Sequence, residues 1–128
     1  MKDQTETLVV VDDEEDIPLL FKLHFQDEIK SGQLALVFAS SGEAAWELLN
    51  QLPKDTNTLV LLDINMPGIN GFDLLKRITA QKPELSVFMF SACADKKNRQ
   101  MAADLGAKDF IAKPIDFNQL KQKIFVAA

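Results

Sequence analysis

Five short apolar runs alternate with five segments of helical periodicity along the 128 residues, and this alternation constrains the fold more than any other feature. Leu8-Val9-Val10-Val11, Leu34-Ala35-Leu36-Val37-Phe38-Ala39 and Leu59-Val60-Leu61-Leu62-Asp63 read as the first three strands. Ser86-Val87-Phe88-Met89-Phe90 and Lys108-Asp109-Phe110-Ile111-Ala112 read as the fourth and fifth. Continuous apolar runs of this length suit strands buried on both faces, as in a parallel sheet covered by helices. Between them, about Asp16 to Lys30 carries Ile17, Leu20, Phe21, His24 and Phe25 at helical spacing, with acids in its first turn. A second helix opens at Ser40-Ser41-Gly42-Glu43 and ends at Pro53. A third spans Phe72 to Ile78 and stops before Pro83. The fourth, more polar, runs from Asp95 to Leu105 and is closed by Gly106. Asp116 caps a fifth, Phe117 to about Val126.

Strand–helix alternation predicts an α/β fold, a parallel sheet with helices on both faces. Right-handed crossovers leave few topologies. A flavodoxin-like (βα)5 three-layer sandwich, with sheet order 2-1-3-4-5, has its switch point between strands 1 and 3. The acids ending those two strands, Asp12, Asp13 and Asp63, then meet in one crevice. The length is that of one domain, 1–128 with a core of about 7–126. A net charge of −5 argues against nucleic-acid binding or attraction to an anionic membrane. No apolar stretch is long enough to span a membrane, and Met1 to Glu6 lacks the apolar core of a secretory signal. The single cysteine, Cys93, precludes an internal disulfide and fits a reducing cytoplasm.

Three carboxylates in one crevice repel one another unless they share a cation. Magnesium suits them, because it prefers oxygen ligands and keeps waters and phosphate oxygens in its shell. Asp12 and Asp13 fit as metal holders and Asp63 as both ligand and nucleophile, with the backbone carbonyl of Asn65 completing the protein's share. Strands 4 and 5 deliver Ser91 and Lys113 to the same rim. A lysine ammonium suits one phosphoryl oxygen and a serine hydroxyl another. Phosphoryl transfer asks mainly for such placement and charge neutralisation. Each residue alone has a plainer explanation: Asp63 capping a turn, Ser91 forming one, Lys113 solvated. Their convergence at strand ends is what points to chemistry.

With these residues in view, the sequence resembles the response-regulator receiver domains of two-component signalling. The resemblance rests on Val10-Val11-Asp12-Asp13-Glu14, on Leu62-Asp63-Ile64-Asn65-Met66-Pro67-Gly68-Ile69-Asn70-Gly71, on Ser91-Ala92, on Gly106-Ala107-Lys108-Asp109-Phe110 and on Lys113-Pro114. It implies that a sensor histidine kinase or a histidine phosphotransfer protein donates a phosphoryl group to Asp63. By the same likeness Asp12, Asp13, Asp63 and the Asn65 carbonyl bind Mg2+, and Ser91 and Lys113 read the phosphoryl group. Phe110 is the aromatic that changes rotamer with it, and the Lys113–Pro114 bond is cis. The output is a bias on the surface made by helix 4, strand 5 and helix 5, relayed to a downstream output domain or protein. Kinase-side partners in this family pack on helix 1 and the loop after strand 5, here Ile17, Pro18, Phe21, Pro114 and Ile115. A receiver catalyses its own phosphorylation and dephosphorylation, so no external turnover is expected.

Asn65 and Cys93 lie where the family varies and are expected to tune phosphoryl lifetime, with Cys93 otherwise a half-buried small hydrophobe. His24 is expected to pack or flank rather than accept phosphate, and Trp46 to pack its helix on the sheet. A finer likeness, over Phe25 to Phe38 and Lys113 to Phe117, is to receivers fused to adenylate or guanylate cyclase or to serine phosphatase domains. The chain ends just past the fifth helix, as a stand-alone receiver or one cut from a longer protein would. Three other readings compete. A haloacid-dehalogenase-type phosphatase needs a second acid where Asn65 stands. A flavodoxin-type FMN carrier needs a donor-rich loop where Asp12 to Asp16 would repel phosphate. A phosphorylation-independent interaction module would have no use for the complete set of acids, Ser91 and Lys113.

Overall fold

A computed structural model describes residues 5–53, 57–66 and 68–126. Pro67, part of the loop motif above, lies outside the described residues, as do Met1 to Gln4. Five parallel strands, β1 (Glu6–Val11), β2 (Leu34–Ala39), β3 (Asn57–Asp63), β4 (Ser86–Ser91) and β5 (Asp109–Ala112), form one sheet in the order β2-β1-β3-β4-β5. This is the predicted topology.

Side chains alternate across a strand, and here the alternation sorts the core into two layers. Val9, Val11, Val60, Leu62, Val87, Met89 and Phe110 face one way, against α3 (Gly42–Gln51), α4 (Gly71–Gln81) and α5 (Lys96–Asp104). Leu8, Val10, Leu59, Leu61, Phe88, Phe90 and Ile111 face the other, against α1 (Asp16–His24) and α6 (Phe117–Val126). Four of the helix starts carry side-chain caps that satisfy otherwise unpaired backbone N–H groups. Ser41 accepts from the Ala44 N–H, Asn70 from Asp73 and Asp95 from Asn98. Asp116 likewise accepts from the Gln119 N–H ahead of α6. Gly106, at φ +104°, turns the chain out of α5.

One predicted element is corrected. The helix expected from Asp16 to Lys30 is two helices, because Phe25 leaves helical geometry at φ −109°, ψ 18° and the chain restarts as α2 (Gln26–Lys30). The break lets Phe25 bury itself completely, stacked on Phe21 at 5.9 Å and edge-on to Phe117 at 6.1 Å. Helical spacing cannot reveal it, since the apolar residues stay in register across the break. A second correction follows from the same packing. Phe21 is fully buried and Ile17 nearly so, both in the α1/α6 layer, so they are core and not an exposed partner surface. The exposed apolar residues of α1 are Leu19, Leu20 and Leu23. Trp46 packs against the α3/α4/α5 layer as predicted, with the Arg77 guanidinium 5.4 Å from its ring.

Candidate functional site at the carboxyl edge of the sheet

Strand register brings the acids together. Val11 of β1 pairs with Leu62 of β3, so the next residues, Asp12 and Asp63, stand side by side where the strands end. Alternation then turns Asp63 toward the α1/α6 side, the face of Leu59 and Leu61. Lys113, two residues beyond Ile111 of that same layer, reaches across to meet both acids. Its Nζ donates to Asp12 Oδ2 at 2.9 Å and to Glu14 Oε1 at 2.9 Å, and lies 3.6 Å from Asp63 Oδ2. It also sits 4.7 Å from the centre of the Phe90 ring. The Lys113–Pro114 peptide bond is cis, as the resemblance implies.

Asp63 is held from below by its own loop. Its Oδ1 accepts from the Asn65 N–H at 3.3 Å, and the Gly71 N–H donates to the Ile64 carbonyl at 2.9 Å. No residue larger than glycine fits at the start of α4, because a Cβ on Gly71 would lie 2.2 Å from the Asp63 carbonyl oxygen. On the far side of this loop, Glu43 Oε1 of α3 accepts from the Ile69 N–H at 3.2 Å. The loop that follows Asp63 is thus fixed from two directions.

Asp12, Glu14 and Asp63 each offer an oxygen within 4.8 Å of the others. Asp12 and Asp63 are buried and Glu14 is exposed. Burial first, and the neighbouring Asp12 charge second, push the Asp63 carboxyl up to about 6, against the attraction of Lys113 and the Asn65 N–H. Burial opposes the charge of Lys113, but its hydrogen bonds to Asp12 and Glu14 and the pull of Asp63 prevail, so the ammonium titrates above the ordinary lysine range. One ammonium therefore leaves the crowd of carboxylates under-compensated. Oxygen donors crowded in this way suit Mg2+, which takes such ligands and retains open positions for water or phosphate oxygens. Asp13 is exposed and stands outside the trio of close oxygens, although its charge still raises the Asp63 carboxyl.

Ser91 ends β4 and is fully buried, its Oγ accepting from the Cys93 N–H at 3.0 Å. Lys113 N–H donates to the Ser91 carbonyl at 2.9 Å, tying the ends of β4 and β5. By alternation Ser91 and Phe110 belong to the α4/α5 side, opposite to that of Asp63. Phe110 is buried there beneath the Arg99 guanidinium, 5.1 Å from the ring centre. Cys93 is exposed rather than half-buried. Pro114 and Ile115 lie at a groove of about 750 Å³ with Leu20, His24 and Phe117, where His24 stacks on Phe117 at 4.0 Å.

The response-regulator receiver domain model matches residues 8–125 of the chain. This chain is a receiver domain of the response-regulator family. The response regulator GtcR of Aneurinibacillus migulanus is 37% identical to the receiver domain over 117 residues, covering 91% of it and 44% of GtcR. Response regulator SaeR of Staphylococcus aureus is 31% identical, over 91% of the domain and 48% of SaeR. The chain thus spans a little under half the length of these curated relatives. Among solved structures, the response regulator TrrA of Thermotoga maritima, in complex with Mg2+-BeF, superposes with a TM-score of 0.78 at 26% identity, covering 97% of this domain and 100% of TrrA. A receiver protein from Pseudomonas putida gives 0.78 at 27% identity, covering 92% and 93%. Receiver domains of this family serve two-component signalling, in which response regulators work with sensor kinases and output domains. Among the described residues, no helix is long and apolar enough to cross a membrane.

Glu14 is the residue that reading the sequence missed as part of the site. Its place two residues after Asp12, in an acid run opening a helix, marked it as a solvated face, and a contact made by an exposed flexible side chain leaves no periodic trace.

Proposed function

We propose that this receiver domain is a phosphorylation-activated switch whose phosphoacceptor is Asp63. The carrying observation is the convergence of Asp12, Asp63 and Lys113 at one sheet edge, with the Asp63 carboxylate backed by a rigid glycine-bearing loop. The donor is a phosphohistidine of a sensor histidine kinase or histidine phosphotransfer protein. A carboxylate oxygen of Asp63 forms the new bond to phosphorus as the bond from phosphorus to the imidazole nitrogen breaks. The electron pair leaves on that nitrogen. Asp12, Asp13, Asp63 and the Asn65 carbonyl would hold Mg2+, which neutralises charge on the phosphoryl oxygens when bound. TrrA, solved with Mg2+-BeF, supports magnesium as the cation.

Lys113 and the Ser91 hydroxyl then donate to phosphoryl oxygens, drawing Ser91 inward on the face it shares with Phe110. The rotamer of Phe110 follows, and the surface of α5, β5 and α6 changes with it. Because α2 is a separate helix, these are the fourth and fifth helices of the sequence reading. An output domain or protein reads that surface, and no external substrate is turned over. The protein works in the cytoplasm, consistent with its one exposed cysteine. Docking of the phosphodonor uses Leu20, Pro114 and Ile115, whose groove opens beside Lys113, together with Pro18 in the first turn of α1.

Incubation with magnesium and acetyl phosphate, followed by intact mass, tests the proposal. One base-labile phosphoryl group is expected on the wild type and none on Asp63→Asn. Equal gain by both, or no gain by either, refutes it.

A further inference from the structure

Lys113 is gripped by two carboxylates, and only one of them belongs to the proposed transfer. The two 2.9 Å hydrogen bonds, to Asp12 and Glu14, hold the ammonium 3.6 Å from Asp63, beyond hydrogen-bond reach. Asp12 is the fixed jaw, with 1% of its side chain exposed. Glu14 is the movable one, with 60% exposed. The Glu14 backbone is itself anchored, because its N–H donates to Asp12 Oδ1 at 2.9 Å and its carbonyl accepts from the Ile17 N–H at 3.3 Å. Only the side chain is free to swing.

We infer that Glu14 is a positioning residue that latches Lys113 at ion-pair rather than hydrogen-bond distance from Asp63 in the unphosphorylated domain, so that phosphorylation must release it. This rests on Asp63 being the phosphoacceptor. An ammonium has three donors and no acceptor. One donor stays with Asp12, while an aspartyl phosphate offers new anionic oxygens beside the other two. The Glu14 contact is then made in one state and lost in the other, and a contact of that kind shifts the balance between states. An exposed ion pair is worth about a two- to five-fold change in an equilibrium constant. Glu14 thus restrains activation without touching the reacting atoms.

Beryllofluoride, a phosphoryl mimic, provides the readout without turnover. It is titrated at saturating magnesium into the wild type, Glu14→Gln and Glu14→Asp, and followed by fluorine NMR. Glu14→Gln is expected to bind about two- to five-fold more tightly, since the amide keeps the shape but loses the charge. Glu14→Asp is expected to follow Glu14→Gln, because the charge remains but the side chain is one methylene too short to reach Lys113. Unchanged affinity in Glu14→Gln overturns the latch. So does weaker binding, which would make Glu14 a holder of the metal, or wild-type affinity in Glu14→Asp, which would reduce its role to a diffuse field. A wild type that takes up no beryllofluoride at all counts against the phosphoacceptor reading itself, and is thereby told apart from failure of the latch alone.

Discussion

Asp63 carries its charge at a cost, and that cost has a sign. Its folded carboxyl titrates at about 6 rather than 3.8, so the folded state binds this proton more tightly than the unfolded chain does. The group's contribution is therefore best below about pH 4 and deteriorates as pH rises toward 6, levelling off above it. At neutral pH the penalty is on the order of 3 kcal/mol, with the attraction of Lys113 already included. Asp63→Asn is accordingly expected to be about 1–3 kcal/mol more stable than the wild type in urea at pH 7.5 without magnesium. The gap should narrow progressively as the pH is lowered to 5. A gap that widens on acidification would mean that Asp63 is stabilised rather than strained. Asp12, Asp63, Ser91 and Lys113 were legible in the sequence because a strand end is a position that periodicity locates. The grip of Glu14 on Lys113 was not, since it depends on one rotamer of a solvated side chain.

At the scale of elements, the turn from β3 into α4 is the piece that cannot give. Gly71→Ala places a methyl against the Asp63 carbonyl oxygen and the Ile64 backbone, where no rotamer can relieve it. A loss of about 1–3 kcal/mol in denaturant unfolding is expected, in the range of overpacked cores. Phosphorylation by acetyl phosphate should slow as well, because the backbone that must yield is that of Asp63, the proposed phosphoacceptor. A variant as stable and as reactive as the wild type would show the loop to be soft. Helix starts were readable from Ser41, Asp95 and Asp116, whose side chains cap as their types suggest. The interruption at Phe25 was not readable. Neither was the inward turn of Phe21, because an amphipathic pattern reports which residues are apolar and leaves open which of them the neighbouring layer covers.

For the whole molecule, folding gathers negative charge at one sheet edge, and a divalent cation should relieve it. Millimolar magnesium is expected to raise the melting temperature of the wild type, with a smaller rise in Asp63→Asn. Chelation that leaves the wild type unmoved would argue against Asp12 and Asp63 as metal holders. The topology was legible because five strand–helix alternations with right-handed crossovers admit few arrangements. The sheet that results is also a partition. Asp63 and Lys113 look out beside α1 and α6, whereas Ser91 and Phe110 belong to the opposite wall with α4 and α5. The groove beside Lys113 reaches α6, which also belongs to the surface of α5, β5 and α6, so a protein that loads the phosphate and a protein that responds to it would contend for that helix and take turns on the domain.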